Sequence, residues 1–335
     1  MSAASGRPIL EVQDLKTWFF TSGGIVKAVD GVSFALDRGE TLGIVGESGS
    51  GKSMTALSLL KLVPEPGRIV GGKILLDGQD IVTMDESEVR EVRGNQVAMI
   101  FQDPMTSMNP VLRVGFQVEE AMDSHKRFTR REAKQRIVPL LRQVRIPAAE
   151  RRSRDFPHQF SGGMRQRAMI AMGVSNKPSL LIADEPTTAL DVTVQAQVIS
   201  LLRQLNSEQG TAIILITHNM AVVASLCKRV IVMYAGRVVE AGETRQIFKN
   251  PQHPYTWSLL RSIPRIDASR KNRLVTIPGN PPDLSNPPAA CKFHPRCKFR
   301  IARCSVEEPP LAEVDAGQQA RCWVLMRNVE NVEAG

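Results

Sequence analysis

Residues 46–53 read Gly-Glu-Ser-Gly-Ser-Gly-Lys-Ser, which matches the pattern G-x-x-x-x-G-K-S. The apolar run TLGIV stands before this loop, and MTALSLLKL, with helical spacing, stands after it. In that context the glycines let backbone N–H groups approach phosphate oxygens, and the start of the helix adds its partial positive charge. Lys52 is then expected at the outer phosphates and Ser53 on Mg²⁺. An ordinary glycine-rich turn is the alternative, but it does not explain all four fixed positions. The other predicted nucleotide contacts are Gly46, Ser48, Gly49, Ser50 and Gly51.

Apolar runs of strand length recur along the chain with helix-like segments between them. Such runs suit strands buried on both faces, and their alternation with helices predicts an α/β fold with a mostly parallel sheet. The first forty residues and the segment GGKILLDGQDI instead predict short strands in an antiparallel layer. Residues 105–175 are mainly helical in pattern, and DESEVREVR before them predicts another short helix. The apolar runs are TLGIVG (41–46), QVAMIF (96–101), SLLIAD (179–184), TAIILIT (211–217) and RVIVMYAG (229–236).

The chain of 335 residues is long enough for one large α/β domain with an appendage, or for two domains. Its apolar runs are far shorter than the roughly 20 residues that cross a bilayer, and its N-terminus lacks an apolar core of signal-peptide length. We therefore expect no membrane-spanning segment.

The net charge of +9 is concentrated in residues 125–156. This basic stretch is a solvated helical face, a nucleic-acid surface, or a surface against anionic lipid or the loops of a membrane partner; the lack of interleaved aromatic residues disfavours nucleic acid.

Two adjacent carboxylates end the apolar run LLIADEP. Asp184 lies at the predicted carboxyl end of a strand, the edge where open α/β sheets bind their ligands, and there it would hold Mg²⁺ through water. Glu185 would orient or deprotonate the attacking water. An Asp-Glu pair alone is more often a solvated turn. Behind a buried strand, and with a phosphate loop upstream, the catalytic interpretation is favoured.

The segment FSGGMRQR, residues 160–167, resembles the signature sequence of ABC-type ATPases when taken with the phosphate loop and LLIADEP. Gln102 resembles that family's Q-loop glutamine, Ala189-Leu190-Asp191 its D-loop and His218 its H-loop histidine. Phe19 lies where the family has an aromatic residue that stacks on adenine. The resemblance implies a P-loop ABC ATPase domain over residues 8–250, with a RecA-like core, an antiparallel β layer and a helical subdomain at about 103–175. A small cysteine-rich C-terminal domain over residues 251–335 would follow.

The resemblance also implies roles for these residues. Two ATPase subunits would enclose two ATP molecules, with Ser161, Gly162 and Gly163 facing the γ-phosphate bound by the opposite subunit, and with Asp191 beside it. His218 would contact the γ-phosphate, and Gln102 would bind Mg²⁺ and report the nucleotide state to a membrane partner. Two positions depart from the family's usual pattern: Met164 replaces a glutamine and Asn219 replaces an acidic residue. Neither removes a group that contacts phosphate, so an active ATPase is expected.

Within that family, FQDPMTSMNP, HPYTWSLLRSIP and IPGNPPDL resemble the ATP-binding subunit of oligopeptide/dipeptide importers. This implies two membrane permease subunits, a second ATPase subunit (the same chain or a related one), an extracytoplasmic substrate-binding protein and no nucleic acid. The chain would sit peripherally at the cytoplasmic face of the inner membrane. Nickel, glutathione or sugar remain alternative substrates. A soluble ABC protein without a transport role is disfavoured, because the chain has neither a second cassette nor a long coiled-coil insertion.

Four of the five cysteines lie near the C-terminal end, in a proline-rich region: Cys291, Cys297, Cys304 and Cys322. Four thiolates could hold zinc or a [4Fe–4S] cluster, and His294 could replace one of them. Zinc sites typically use ligands two to four residues apart, a spacing that is missing here, and the peptide-importer resemblance associates such an end with the cluster. We therefore expect a [4Fe–4S] cluster that fastens a segment without a core of its own. Four unligated thiols are the alternative, and Cys227 is expected to be a buried helix residue.

Overall fold

The computed structural model describes residues 7–125, 128–188, 190–263 and 277–329. Its strands are β1 Leu10–Thr21, β2 Gly24–Leu36, β3 Thr41–Val45, β4 Gly67–Leu76, β5 Gln79–Asp80, β6 Val97–Ile100, β7 Leu180–Asp184, β8 Ala212–Ile216, β9 Arg229–Tyr234, β10 Arg237–Glu243, β11 Ala312–Asp315 and β12 Gln318–Ala320. Its helices are α1 Lys52–Leu59, α2 Glu86–Val92, α3 Pro104–Ser107, α4 Val114–Asp123, α5 Arg130–Gln143, α6 Ala149–Arg152, α7 Gly162–Val174, α8 Val192–Gln209, α9 Met220–Leu226, α10 Thr244–Lys249, α11 Pro254–Arg261 and α12 Arg303–Val306.

The chain divides into two compact units. The first contains residues up to Leu10, Leu36–Thr41 and Leu76–Ile216, and the second contains Glu11–Ala35, Leu42–Leu75 and the chain from Thr217 onward. The phosphate loop therefore belongs to the second unit and the Asp184-Glu185 pair to the first.

The first unit is built on three parallel strands, β6, β7 and β8. Their register pairs Val97 with Leu180, and Leu180 with Ala212. Every residue of β7 and β8 is buried, as expected for apolar strands that are covered on both faces. The parallel register brings the carboxyl ends of the strands to one edge, where Asp184 lies. The apolar runs in this unit are thus confirmed as buried parallel strands.

Helices α3 to α7 fill residues 104–174 of the same unit, as the sequence pattern predicts. The capping box of α5 is formed by Thr129 and Glu132, whose side chains each bond the other's backbone N–H. Basic side chains of α5, including Arg130, Arg131 and Lys134, are exposed. For the described part of residues 125–156, this exposure agrees with one of the three interpretations of the basic stretch, the solvated helical face.

The second unit combines a hairpin layer with part of a mixed sheet. Strands β1 and β2 are neighbours joined by two residues, and β4 lies on the other side of β1, which gives the predicted strand layer. The strands are longer than predicted, since β1 has 12 residues and β2 has 13. Strand β3 pairs with β9 in parallel, from Leu42 with Arg229 to Val45 with Val232. Strand β10 then pairs antiparallel with β9, β12 with β10, and β11 with β12.

The C-terminal segment packs within the second unit, so a separate cysteine-rich domain is not confirmed. Strand β12 adds to the edge of β10, with Ala320 opposite Glu240 and the Arg321 N–H donating to the Val239 carbonyl at 2.8 Å. The boundary near residue 250 and the limits of the helical subdomain stay predictions. In the part of the chain that the structure describes, no helix combines the length and apolarity needed to span a membrane.

Candidate nucleotide-binding site

The phosphate loop connects β3 to α1, and its conformation requires glycine at two positions. Gly46 has φ 152° and Gly51 has φ 99°, in the region that side-chain-bearing residues rarely adopt. A Cβ at Gly46 would lie 2.2 Å from the Met233 carbonyl oxygen, and a Cβ at Gly51 would lie 2.3 Å from that of Ala28. The loop is therefore pressed against neighbouring backbone at both glycines.

Lys52 begins α1 and turns its ammonium group back into the loop. Its Nζ donates to the carbonyls of Gly46 at 2.9 Å and Glu47 at 2.8 Å, and the residue is only 6% exposed. Ser53 is the next residue of α1. A buried cation, a helix start and a glycine-rich cradle together suit a phosphate group. The predicted strand–loop–helix context is thus confirmed.

The aromatic residues of β1 take different positions. The half-buried Phe19 ring lies against Gly67, where a Cβ would come within 2.7 Å of it. Phe20 is 36% exposed and is covered by the Arg68 guanidinium, 4.2 Å from the ring centroid. Trp18 is faced by Lys27. Stacking of adenine on Phe19 stays a prediction.

His218 lies two residues after the end of β8 and is exposed. The neighbouring Asn219 caps α9, because its Oδ1 accepts from the Ala221 N–H at 3.0 Å. The residue that departs from the family pattern therefore has a local structural use, since asparagine and aspartate are equally suited to a helix N-cap.

The carboxylate pair lies at the end of β7 in the first unit. Asp184 is 5% exposed, and Glu185 has φ 47°, a left-handed conformation that is uncommon for this residue type. The Glu185 N–H donates to the Ile216 carbonyl at 2.8 Å, and the Thr188 hydroxyl donates to the Glu185 carboxylate at 2.6 Å. Backbone strain of this kind concentrates at functional sites. Thr188 was not predicted, although its position three residues after the glutamate in a turn is a signal that could have identified it.

The signature segment and the residues after the carboxylates are brought together in the first unit. Ser161 caps α7, accepting from the Met164 N–H at 3.3 Å, so Gly162 and Gly163 lie at the helix start. Asp191 caps α8 by accepting from the Val194 N–H at 2.9 Å. The two helix starts are in close contact, since a Cβ at Gly163 would lie 2.5 Å from a Val194 methyl group. Ala189 lies outside the described residues.

Gln102 is exposed between β6 and α3, at the beginning of a segment with several exposed apolar side chains. Asp103, next to it, caps α3 by accepting from the Met105 N–H at 2.8 Å. Large apolar side chains are rarely left in water in such numbers over a short stretch. The exposed ones in residues 101–116 are Phe101, Met105, Val111 and Phe116.

The prediction of a metal centre at the C-terminal cysteines is wrong. Across the described residues, no three or more His, Cys, Asp or Glu side chains are grouped so that they could hold a metal ion, which removes both the [4Fe–4S] cluster and zinc. The Cys322 thiol instead donates to the Val324 carbonyl at 3.0 Å, within its own turn. Burial raises the pKa of Cys322 to about 12 and that of Cys297 to about 11, so both are neutral thiols in the metal-free chain. Cys227 is buried as predicted, directly after the end of α9.

The C-terminal segment is held by packing instead. The Phe293 ring lies 5.2 Å from the Tyr234 ring centroid and 5.4 Å from that of Tyr255, and it is 3% exposed. The buried Glu240 carboxylate accepts from the backbone N–H of His253 at 3.0 Å and from Gln318 Nε2 at 2.8 Å. The segment therefore shares the core of the second unit and needs no metal to fasten it.

Comparison with known proteins gives consistent matches. The family described as ABC transporter matches residues 29–188, and that described as oligopeptide/dipeptide transporter, C-terminal region, matches residues 239–304. The oligopeptide transport ATP-binding protein OppD of Bacillus subtilis (strain 168) is 49% identical over 326 residues, 97% of this chain and 91% of that protein. OppD of Escherichia coli (strain K12) is 51% identical over 315 residues, 94% of this chain and 93% of that protein. The dimeric post-hydrolysis structure of the ATP-binding cassette MJ0796, bound to ADP and Pi, has a TM-score of 0.64 at 26% identity, covering 70% of this chain and 99% of that one.

Proposed function

Because the chain belongs to the ATP-binding subunits of oligopeptide ABC transporters, we propose that it binds and hydrolyses ATP to drive the import of peptides through separate permease subunits. The observation that carries this proposal is the phosphate loop. Its two constrained glycines, its buried lysine and the helix start behind it form a site suited to a polyphosphate.

We assign the nucleotide contacts to the loop and its surroundings. Lys52 would bind the outer phosphates, backbone N–H groups of the loop would hold the phosphate oxygens, and Phe19 would stack on adenine. The loop residues in this assignment are Gly46, Ser48, Gly49, Ser50 and Gly51. Since all of these residues and Lys52 belong to the second unit, that unit would determine affinity for the nucleotide.

Ser53, Asp184 and Gln102 are assigned to Mg²⁺. Their side chains offer hydroxyl, carboxylate and amide oxygens, which are the ligands that this ion takes together with phosphate oxygens. When bound, Mg²⁺ neutralises charge on the phosphates that separate during hydrolysis.

Glu185 is assigned to the attacking water, which it would orient and deprotonate. The bond from the Glu185 N–H to the Ile216 carbonyl holds the backbone, and the hydrogen bond from Thr188 restrains the carboxylate, so the base would be oriented before the reaction. His218, exposed at the end of β8, is assigned to the γ-phosphate. The neighbouring Asn219 caps α9 as an acidic residue would, so its departure from the family pattern does not affect this assignment.

A second ATPase subunit, either a copy of this chain or a related one, would complete the site. The start of α7 offers Ser161, Gly162 and Gly163 as an anion-binding group for the γ-phosphate bound by that subunit, with Asp191 beside it. Formation of a nucleotide-sandwich dimer would then depend on ATP, and hydrolysis would separate the subunits.

Two permease subunits and an extracytoplasmic substrate-binding protein would complete the importer, with this chain peripheral at the cytoplasmic face of the membrane. The exposed apolar side chains of residues 101–116 supply a docking surface for a cytoplasmic segment of a permease. Gln102 lies within that same stretch of chain, so nucleotide binding and permease contact would be communicated over a few residues.

The function is tested by purifying the full chain from membranes of its native host under mild detergent. Two permeases and a second ATPase subunit are expected to co-purify, and addition of peptide with its binding protein should increase ATP hydrolysis by the assembled complex. Glu185→Gln should retain MgATP binding and abolish steady-state turnover. Near-normal turnover by that variant would overturn the assignment of the base, and isolation of the chain without permeases would overturn the role in transport.

A further inference from the structure

The C-terminal segment reaches directly into the phosphate loop. Arg296, one residue before Cys297, forms a two-pronged ion pair with Glu47, the residue after the first glycine of the loop. Its Nη1 lies 2.6 Å from Glu47 Oε2 and its Nη2 lies 3.0 Å from Oε1. Bidentate guanidinium–carboxylate pairs of this geometry are among the stronger polar contacts in proteins. The arginine is only 9% exposed and the Glu47 side chain is 26% exposed, so the pair is partly shielded from solvent.

The Arg296 guanidinium group also donates hydrogen bonds to partners other than the Glu47 carboxylate. Its Nε donates to the Pro278 carbonyl at 2.9 Å, and its Nη1 also donates to the Tyr234 hydroxyl at 3.3 Å. A lysine could not satisfy these acceptors and both carboxylate oxygens at once, since it lacks the planar fork of donors. The site therefore requires arginine in particular.

Glu47 connects Arg296 to Lys52, the lysine of the loop. The Glu47 N–H donates to the Tyr255 hydroxyl at 2.8 Å, and its carbonyl accepts from Lys52 Nζ at the same distance. Side chain, N–H and carbonyl of this one residue are thus all engaged. A displacement of Glu47 would move the partner that holds the Lys52 ammonium.

A second contact of the C-terminal segment, made by Lys292, reaches the loop through the turn after β9. Lys292 Nζ donates to the Ala235 carbonyl at 3.1 Å and to the Asp30 carboxylate at 3.2 Å. The next residue of that turn, Gly236, donates its N–H to the Ser50 carbonyl at 3.0 Å. The turn after β9 is therefore held by the C-terminal segment and is itself bonded to the loop.

We propose that residues 292–296 form a brace that positions the phosphate loop for ATP, with Arg296 as the principal positioning residue. The proposal rests on the ATP-binding function assigned above. The brace pre-organises the loop, which reduces the conformational entropy that nucleotide binding would otherwise cost. Its loss should therefore act mainly on the affinity for MgATP and on KM, and only weakly on kcat, because neither Arg296 nor Glu47 is assigned to the reacting atoms.

The test measures MgATP and MgADP binding to the full chain by calorimetry, and kcat and KM in the assembled transporter. Arg296→Ala is expected to weaken MgATP binding by about tenfold, within the usual range for coupled sites. Arg296→Lys should fall between this variant and the wild type, because it keeps the charge and loses the fork. Arg300→Ala is the matched control: this exposed arginine of the same segment donates to the Pro295 carbonyl at 3.3 Å and should leave affinity unchanged.

Glu47→Gln tests the pair from its other end and covers the case in which Arg296→Ala does not fold. It should weaken MgATP binding like Arg296→Ala, and the double variant should be no weaker than the worse single variant, because both remove one interaction. Unchanged affinity in Arg296→Ala and Glu47→Gln, or fully additive effects, would overturn the brace. Failure of the wild-type chain to bind MgATP would overturn the proposed function instead.

Discussion

The hydroxyl of Thr188 donates a 2.6 Å hydrogen bond to the carboxylate of Glu185, whose backbone lies in the left-handed region at φ 47°. The threonine restrains the rotation of the glutamate side chain. Positioning of this kind matters for the role of general base proposed for Glu185, since small displacements from the reacting atom reduce the rate strongly.

Thr188→Val should lower kcat by between about 10- and 100-fold and leave MgATP affinity unchanged, because it removes an orienting bond and no nucleotide contact. Steady-state ATPase assays of the assembled transporter, with calorimetric MgATP titration, measure both quantities. Thr83→Val is the control, since the exposed Thr83 hydroxyl donates to the Asp80 carbonyl at 2.9 Å. A kcat equal to that of the control would show that Thr188 does not position the base.

Gly163→Ala and Gly162→Ala should differ sharply in stability although they are neighbours. A Cβ at Gly163 would meet a Val194 methyl group at 2.5 Å, whereas the nearest atom to a Cβ at Gly162 is 4.0 Å away. The first change should lower the free energy of unfolding by about 1–3 kcal/mol through overpacking. The second should leave it unchanged or raise it by up to about 1 kcal/mol, because alanine favours the helix. Urea denaturation measures both, and equal values would contradict the tight contact of α7 with α8.

Acidification should destabilise the second unit through His253. Burial, with a smaller contribution from Arg321, lowers the pKa of His253 from 6.5 to about 3, so the imidazole stays neutral in the native chain. The unfolded chain binds a proton as the pH falls below 6.5 and the folded chain does not, so stability decreases from pH 6.5 toward 3. The slope from this residue should approach about 1.4 kcal/mol per pH unit.

His253→Asn isolates that effect in urea denaturation at pH 7, 6, 5 and 4. Asparagine can still cap α11 in place of the imidazole Nδ1, which accepts from the Tyr255 N–H at 3.0 Å. Burial raises the pKa of the nearby Glu240, whose linkage has the opposite sign and remains in the variant, since its bond is to the backbone of residue 253. In the variant, the free energy of unfolding should therefore fall less steeply with decreasing pH, by up to about 1.4 kcal/mol per pH unit. An unchanged slope would mean that His253 is accessible to protons in the native chain.

Phe293→Ala should destabilise the chain by about 3–5 kcal/mol, because it empties the space between the rings of Tyr234 and Tyr255. Val306→Ala is the control, since Val306 is 81% exposed in the same segment and its loss should cost less than about 0.5 kcal/mol. Thermal and urea unfolding of the full chain compare the two. Similar, small effects would show that the aromatic contacts do not fasten the segment.

Phe116→Ser should reduce the amount of permease that co-purifies with the chain by about tenfold or more, as expected for an apolar anchor of the proposed docking surface. MgATP binding to the isolated chain should be unaffected. Ile301→Ser is a matched control, since Ile301 is 49% exposed and Phe116 is 46% exposed. Undiminished co-purification would exclude Phe116 from the docking surface.

The parts of the fold that the sequence predicts are those whose determinants are local. The phosphate loop needs eight consecutive residues and their flanks, and β7 and β8 are continuous apolar runs, so both follow from pattern alone. Arg296 and Glu47 are 249 residues apart in the chain, and no periodicity connects them. Such pairs depend on the packed fold and are visible only there.

The cysteines illustrate the same limit. Their number matches a four-ligand site, but ligand count does not determine whether the backbone brings the sulfurs to one point, and the Cys322 thiol is bonded within its own turn. The expectation that this segment lacks a core was also wrong, because Phe293 packs on Tyr255 of the same C-terminal region and on Tyr234 of β9, which lies outside that region.

The addition of β12 to β10 also has a consequence for solubility. Strand β10 would otherwise present a row of unpaired backbone groups, which is a template for association between chains. Strand β12 occupies that edge, and the four-residue β11 outside it has a register shift and carries Glu313 and Asp315, features that discourage further pairing. A chain truncated before residue 312 should therefore self-associate through the edge of β10, which identifies the C-terminal hairpin as protection against aggregation.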